Sequence, residues 1–234
     1  MTEIDNANQA VSTELLNKLR ASVLGANDGI VSISSLLMGV SGATGSHEAV
    51  FTAGLAALVA GALSMAVGEY VSVSSQSDAE KAYIKREQEL LQNDPEGEFE
   101  GLVHAYASRG INADTARQVA TELTKGDVLQ AHLMAEFGVM ESDVINPVHA
   151  ASSSLVAFTI GGLIPFMTIL LTPAEYRIIA TGIAVLVALC ATGYMSATVG
   201  GASRRRAMLR VVTGGVIAMV ATYYVGALFG AQVL

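Results

Sequence analysis

Two stretches, GANDGIVSISSLLMGV (25–40) and GLAALVAGALSMAVGEYVSV (54–73), decide the fold. Both read as hydrocarbon-like, yet each carries one acid: Asp28 in the first, and Glu69 in the second, one helical turn after Met65. A carboxylate inside a bilayer costs about 2.5–3.5 kcal/mol even on the lenient insertion scale. Two of them beside a thioether suggest a path for a cation that sheds its water part-way through a membrane. Met65 and Glu69, at i and i+4, share one helix face. A thioether suits a late first-row metal better than Mg²⁺ or Ca²⁺. Plainer alternatives stand beside this reading. Asp28 could cap a helix start, although the apolar period begins upstream at Val23. Glu69 could lie at the inner water interface, and Met65 could be packing.

Outward from these stretches, 52% of the 234 residues are apolar and 15% charged, a balance that fits a membrane protein rather than a soluble domain. Cys190 is the only cysteine, so no intrachain disulfide or cysteine-built zinc site exists; it reads as a small packing residue. The formal charge of −8 argues against nucleic acid as a partner. Residues 78–143 hold 14 of the 21 acids and 6 of the 13 Lys and Arg, so the whole imbalance lies in one hydrophilic insert. The polar, acidic N-terminus does not resemble a cleaved signal peptide.

The expected fold is an all-α membrane protein with five transmembrane helices and a helical insert between spans 2 and 3. Residues 1–21 read as a frayed tail, over 1–10, and then an amphipathic surface helix with Val11, Leu15, Leu16, Leu19 and Val23 on one face. Residues 22–76 hold spans 1 and 2 (about 22–45 and 49–76), 77–145 the insert, and 146–234 spans 3 to 5 (about 148–171, 176–199 and 208–233). Lys and Arg alternate between the loops: Lys18 and Arg20 precede span 1, none lies in the first turn, six lie in the insert, one (Arg177) precedes span 4, and four follow it. That pattern puts the N-terminus and insert in the cytosol and the C-terminus outside. Gly25/Gly29 and Gly226/Gly230 have GxxxG spacing, which serves either a dimer seam or packing within one chain.

In the insert, a stalk continues from span 2 until Asp94-Pro95, with Asp94 as N-cap of the next helix. Gly110 stops that helix, Asn112 caps a third, and Asp127 caps the last, VLQAHLMAEFG. Glu87 and Glu89 lie on the stalk, Glu96, Glu98, Glu100 and His104 on the next helix, and His132, Met134 and Glu136 on the last. Carboxylates and a His on facing helices are how a bundle builds a divalent-metal site. A solvated acidic face is the alternative. The residues form no nucleophile–base pair, phosphate loop or HExxH motif, so an enzyme is not expected.

Together NDGIVS (27–32), LSMAVGEYVSVSSQ (63–76), KREQELLQNDPE (85–96), AHLMAEFG (131–138) and GGLIPF (161–166) resemble the vacuolar iron transporter family, in a bacterial-type form. The likeness covers nearly the whole chain. It implies a five-span homodimer with a cytosolic metal-binding insert, which exports Fe²⁺, and related ions such as Mn²⁺, Zn²⁺ or Co²⁺, in exchange for protons through a pore at the dimer interface. Asp28 and Met65 match the family's pore residues, and Glu69 matches the acid near the pore's inner mouth. Glu87, Glu98 and Glu136 match carboxylate ligands of the insert. Leu90 and Gly101 stand where the family has second glutamates, and His132, Leu133 and Met134 fill a turn that is elsewhere rich in Met and Glu. Glu89, Glu100, His104 and His132 are the substitutes at hand. A short chain without a targeting extension fits a bacterial inner membrane. The competing class is a non-transporting, membrane-anchored metal sensor or scaffold.

Overall fold

The first proline in the chain is Pro95, and only the Gly-rich turn SGATGS (41–46) interrupts the residues before it. The result is two very long helices, α1 (Glu3–Ala43) and α2 (His47–Asn93). They belong to a computed structural model that describes the backbone of residues 3–138 and 146–233, and side chains over 19–138 and 146–230. At 1.5 Å per residue, the 47 residues of α2 extend about 70 Å, more than twice the thickness of a bilayer core. The stalk is therefore a true continuation of span 2. Residues 3–10, expected as a frayed tail, are helical. Helical backbone starts at Glu3 and runs unbroken to Ala43, because nothing there breaks a helix. The amphipathic face of Val11, Leu15 and Leu16 lies outside the described side chains.

After α2 come α3 (Pro95–Ala107), α4 (Ala113–Leu123), α5 (Val128–His132) and a π-helical turn (Leu133–Phe137). Three more long helices close the chain: α6 (Pro147–Leu171), α7 (Arg177–Val199) and α8 (Arg204–Val233). Five helices are long and apolar enough to cross a membrane, with spans in α1, α2, α6, α7 and α8. The chain divides into two compact units, one built on Leu16–Tyr70 and Val148 onward, the other around Val71–Pro147.

In the first unit α1 is shared by two cores. Ile33 and Leu37 pack with Val50 and Leu58 of α2 and Phe158 and Phe166 of α6. Ile30 and Met38 pack with Val185 and Leu189 of α7 and Met219 of α8. Small residues let α1 approach its neighbours closely. A Cβ on Gly29 would strike the Phe158 carbonyl of α6, and one on Gly226 of α8 would strike the Gly39 carbonyl of α1. Both GxxxG pairs are thus spent inside one chain, Gly25/Gly29 against α6 and Gly226/Gly230 against α1, which is the second of the two alternatives their spacing left open. At the far end of α1, buried Arg177 donates from Nη2 to the Thr44 carbonyl at 3.4 Å, a cation at a helix C-terminus. Outward faces are apolar, as in Val59, Leu63 and Val67 of α2 and Ile217 and Phe229 of α8, the surface hydrocarbon requires. Cys190 is exposed on α7, so it is not the packing residue its apolar neighbours suggested.

The second unit follows its punctuation closely. Asp94 accepts from the Gly97 N–H at 2.9 Å, Asn112 from Asp114 at 2.9 Å and Asp127 from Gln130 at 3.0 Å, so all three expected N-caps form. Its core is small: Leu102 and Val103 of α3 against Ala116 and Ala120 of α4 and Ala131 and Ala135.

Candidate functional site

Among the described residues two groups of liganding side chains form, one in each unit. The first lies between α1 and α2. Asp28, Met65 and Glu69 line one open cavity of about 370 Å³, together with Ser32, Ser64 and Phe158. Asp28 sits mid-helix, with α1 running from Glu3, so the N-cap alternative is excluded. Its Oδ1 accepts from the Ser32 hydroxyl at 2.9 Å, one turn on. Glu69 is mostly shielded, its side chain 11% exposed, and Arg20 Nη2 stands 3.6 Å from its Oε1. Met65 is half-buried and leans on the α1–α2–α6 core while still lining the cavity. The cavity thus offers two hard oxygen ligand groups and one soft sulfur, with hydroxyls between them. Sequence reasoning found its acids and sulfur but missed Ser32 and Arg20. Ser32 was legible as the i+4 neighbour of Asp28. The Arg20–Glu69 pair depends on how α1 packs on α2, which no local pattern reveals.

The second group is more tightly drawn. Glu87 of α2, Glu98 in the first turn of α3, His132 at the end of α5 and Glu136 of the π turn place ligand atoms within 4.8 Å of one another. His132 Nδ1 is the common point, 3.0 Å from Glu87, 3.6 Å from Glu98 and 3.9 Å from Glu136. Glu87 and His132 are almost wholly buried, 1% and 0% exposed. The 3.0 Å approach lacks hydrogen-bond geometry, so Glu87 Oε1 and both imidazole nitrogens remain buried without a hydrogen-bond partner. Buried polar atoms without partners are costly, and an ion is one way to satisfy them. Burial, with the charges of Glu136 and Glu98 beside it, raises the Glu87 pKa from 4.5 to about 7.

Local structure explains how His132 and Glu136 share this point. The aspartate cap at Asp127 starts α5, and after one turn the helix widens into the π turn, closed by Gly138 at φ 66° with its N–H on the Leu133 carbonyl. Such turns are rare and cluster at functional sites. Arg109, lying over the Tyr106 ring, donates to the Ala135 carbonyl and ties the widened turn to α3. Nothing in the sequence signalled this turn.

The remaining insert candidates lie elsewhere. Glu100 is spent on Arg117 in an exposed pair at 2.6 Å, and Glu89 faces Lys85 at 3.9 Å. His104 is exposed in the last turn of α3. Met134 is 40% exposed and stands two residues from both His132 and Glu136, off the face they share. Gly101 keeps its interest: a Cβ there would lie 3.9 Å from Glu136 Oε1.

Three carboxylates and one imidazole suit a divalent first-row ion. Ligands about 2.1 Å from a metal in a tetrahedral site are about 3.4 Å apart, so the group must contract by up to about 1.4 Å to close on an ion. These features define a multi-span helical membrane protein with ligand groups both in its span unit and in its insert. The sequence matches the VIT family over residues 19–227, and the chain belongs to that family. It is 43% identical to a vacuolar iron transporter of Acanthamoeba castellanii over 210 residues, covering 89% of this chain and 77% of that protein. It is 35% identical to vacuolar iron transporter homolog 1 of Oryza sativa subsp. japonica (91% of this chain, 74% of the other). Against vacuolar iron transporter homolog 2 of Arabidopsis thaliana it is 34% identical (91% and 84%).

Proposed function

We propose that the protein is a transporter, not an enzyme, that carries Fe²⁺, and Mn²⁺ as a related ion, out of the cytosol in exchange for protons. The observation that carries this reading is the shared cavity of Asp28, Met65 and Glu69. The names of the relatives, vacuolar iron transporter and its homologs, support iron as the cargo. An incoming cation displaces Arg20 from Glu69, exchanges water for Asp28 and Met65, and leaves when the carboxylates take up protons. Metal and proton compete for the same lone pairs, which is the simplest form of coupling. The working form is a homodimer in a bilayer, with the open side of the cavity closed by the second copy into a pore. The insert, 77–145, is a cytosolic metal-binding domain, with Glu87, Glu98, His132 and Glu136 holding the ion. Its net negative charge gathers cations. The N-terminus is cytosolic, the C-terminus is outside, and the membrane is a bacterial inner membrane.

The insert group alone would equally serve a membrane-anchored sensor or scaffold. Asp28 and Glu69 oppose that reading, because an anchor has no use for acids inside its spans. Proteoliposomes with an imposed pH gradient separate the two: a transporter accumulates Fe²⁺ in the vesicle lumen, and a sensor binds it without accumulation.

A further inference from the structure

We propose that a second cavity of the membrane unit holds the headgroup phosphate of an anionic phospholipid. This cavity, about 470 Å³, opens where the span of α1 begins, α7 ends and α8 begins. Three span ends at one place mark the level of lipid headgroups. Arg20 and Arg210 line it, and among the described residues no carboxylate does. Among the described residues Arg210 has no ion-pair partner, and the partner of Arg20, Glu69, lies outside this lining. The rest of the wall mixes hydroxyls and apolar side chains. Thr192 and Ser196, one turn apart on α7, supply hydroxyls, while Val23, Leu24 and Val211 supply an apolar slot.

Two guanidinium groups over an apolar slot match a phosphodiester with an acyl chain beneath it. Guanidinium binds phosphate oxygens through paired N–H donors, and basic pockets between spans recognise anionic headgroups. A free phosphate would satisfy the arginines and leave the slot wet. The contrast with the cavity of Asp28 and Glu69 is complete in sign: one lining is anionic, the other cationic. Arg20 belongs to both neighbourhoods, through its place in this lining and its approach to Glu69.

The test is native mass spectrometry of the full chain in detergent with equal amounts of phosphatidylglycerol and phosphatidylcholine. Preferential retention of phosphatidylglycerol is expected, with Arg20→Gln and Arg210→Gln each reducing the preference about fivefold. Ser196→Trp, which fills the cavity and keeps both charges, is expected to reduce it as well. Arg205→Gln, outside the lining, leaves it unchanged. Equal retention of the two lipids by the wild type overturns the proposal. So does a loss in Arg205→Gln as large as in Arg210→Gln, which makes the effect one of surface charge. Displacement of the lipid by excess inorganic phosphate also overturns it, in favour of a soluble anion. Arg210 is exposed on α8, so its variant keeps the test usable if another variant fails to fold.

Discussion

The membrane unit and the insert carry the same kind of chemistry, carboxylates beside a softer ligand, under opposite local conditions. In the span cavity each acid already has a partner, Ser32 for Asp28 and Arg20 for Glu69, and the space is open. In the insert, Glu87 Oε1 and both nitrogens of His132 are buried with no hydrogen-bond partner. Unsatisfied buried groups cost about 1–3 kcal/mol each, a penalty an arriving cation removes. The difference separates two tasks. In the proposed transporter, buried ligand atoms without partners suit holding an ion, and acids that already have partners suit letting one pass.

The largest effect that can break this comparison is on the passing site. Asp28→Ala should reduce Fe²⁺ flux in liposomes to that of empty vesicles, while metal binding by the insert, measured by calorimetry, stays at the wild-type value. Loss of both together would merge the two sites into one. Next comes the holding site. His132→Ala removes the common point of the cluster and should weaken insert binding by at least about 10–100-fold, the cost of losing even a supporting partner of a metal ligand. Binding that survives this change would move the ion away from Nδ1.

A titration sharpens the contrast further. The Glu87 pKa in the fold, about 7, lies above its ordinary 4.5. The folded state therefore binds the proton more tightly than the unfolded one. Glu87's contribution to the stability of the metal-free protein should be fully present below pH 4.5 and be lost as pH rises through 7. Metal binding needs the carboxylate, so added Fe²⁺ or Mn²⁺ should stabilise strongly at pH 8 and little at pH 5. Thermal melts of wild type and Glu87→Gln check this, and the variant should lose the metal-free slope. The smallest effect expected is a gain. Gly101→Glu places a fourth carboxylate beside Glu136 and, as a helix-interior glycine replaced, adds about 0.5–1 kcal/mol of helix stability. Binding should tighten by severalfold, and unchanged affinity would show that the group has no room for another ligand.

Much of the fold was legible because its signals are local. Absence of proline wrote α1 and α2, and Asp94, Asn112 and Asp127 announced their helices through side-chain oxygens that reach only two or three residues ahead. What was not legible depends on partners distant in sequence. Gly25 and Gly226 carry one spacing motif whether they meet another chain or their own, and both meet their own. Cys190 is exposed within a run of apolar residues, where hydropathy cannot tell outside from inside. The span acids were visible because an acid in hydrocarbon sequence is conspicuous, whereas an acid in an acidic insert is not. That is why residue type alone does not separate Glu100, which pairs with Arg117, from Glu98, which only the resemblance singled out.

The most direct test of passage through the Asp28 cavity is simultaneous recording of Fe²⁺ and lumenal pH in proteoliposomes with an acidic interior. Wild type should admit Fe²⁺ while the lumen turns more alkaline, and Asp28→Ala should do neither. Iron entry in the Asp28→Ala vesicles, or wild-type entry with no proton movement, would contradict it.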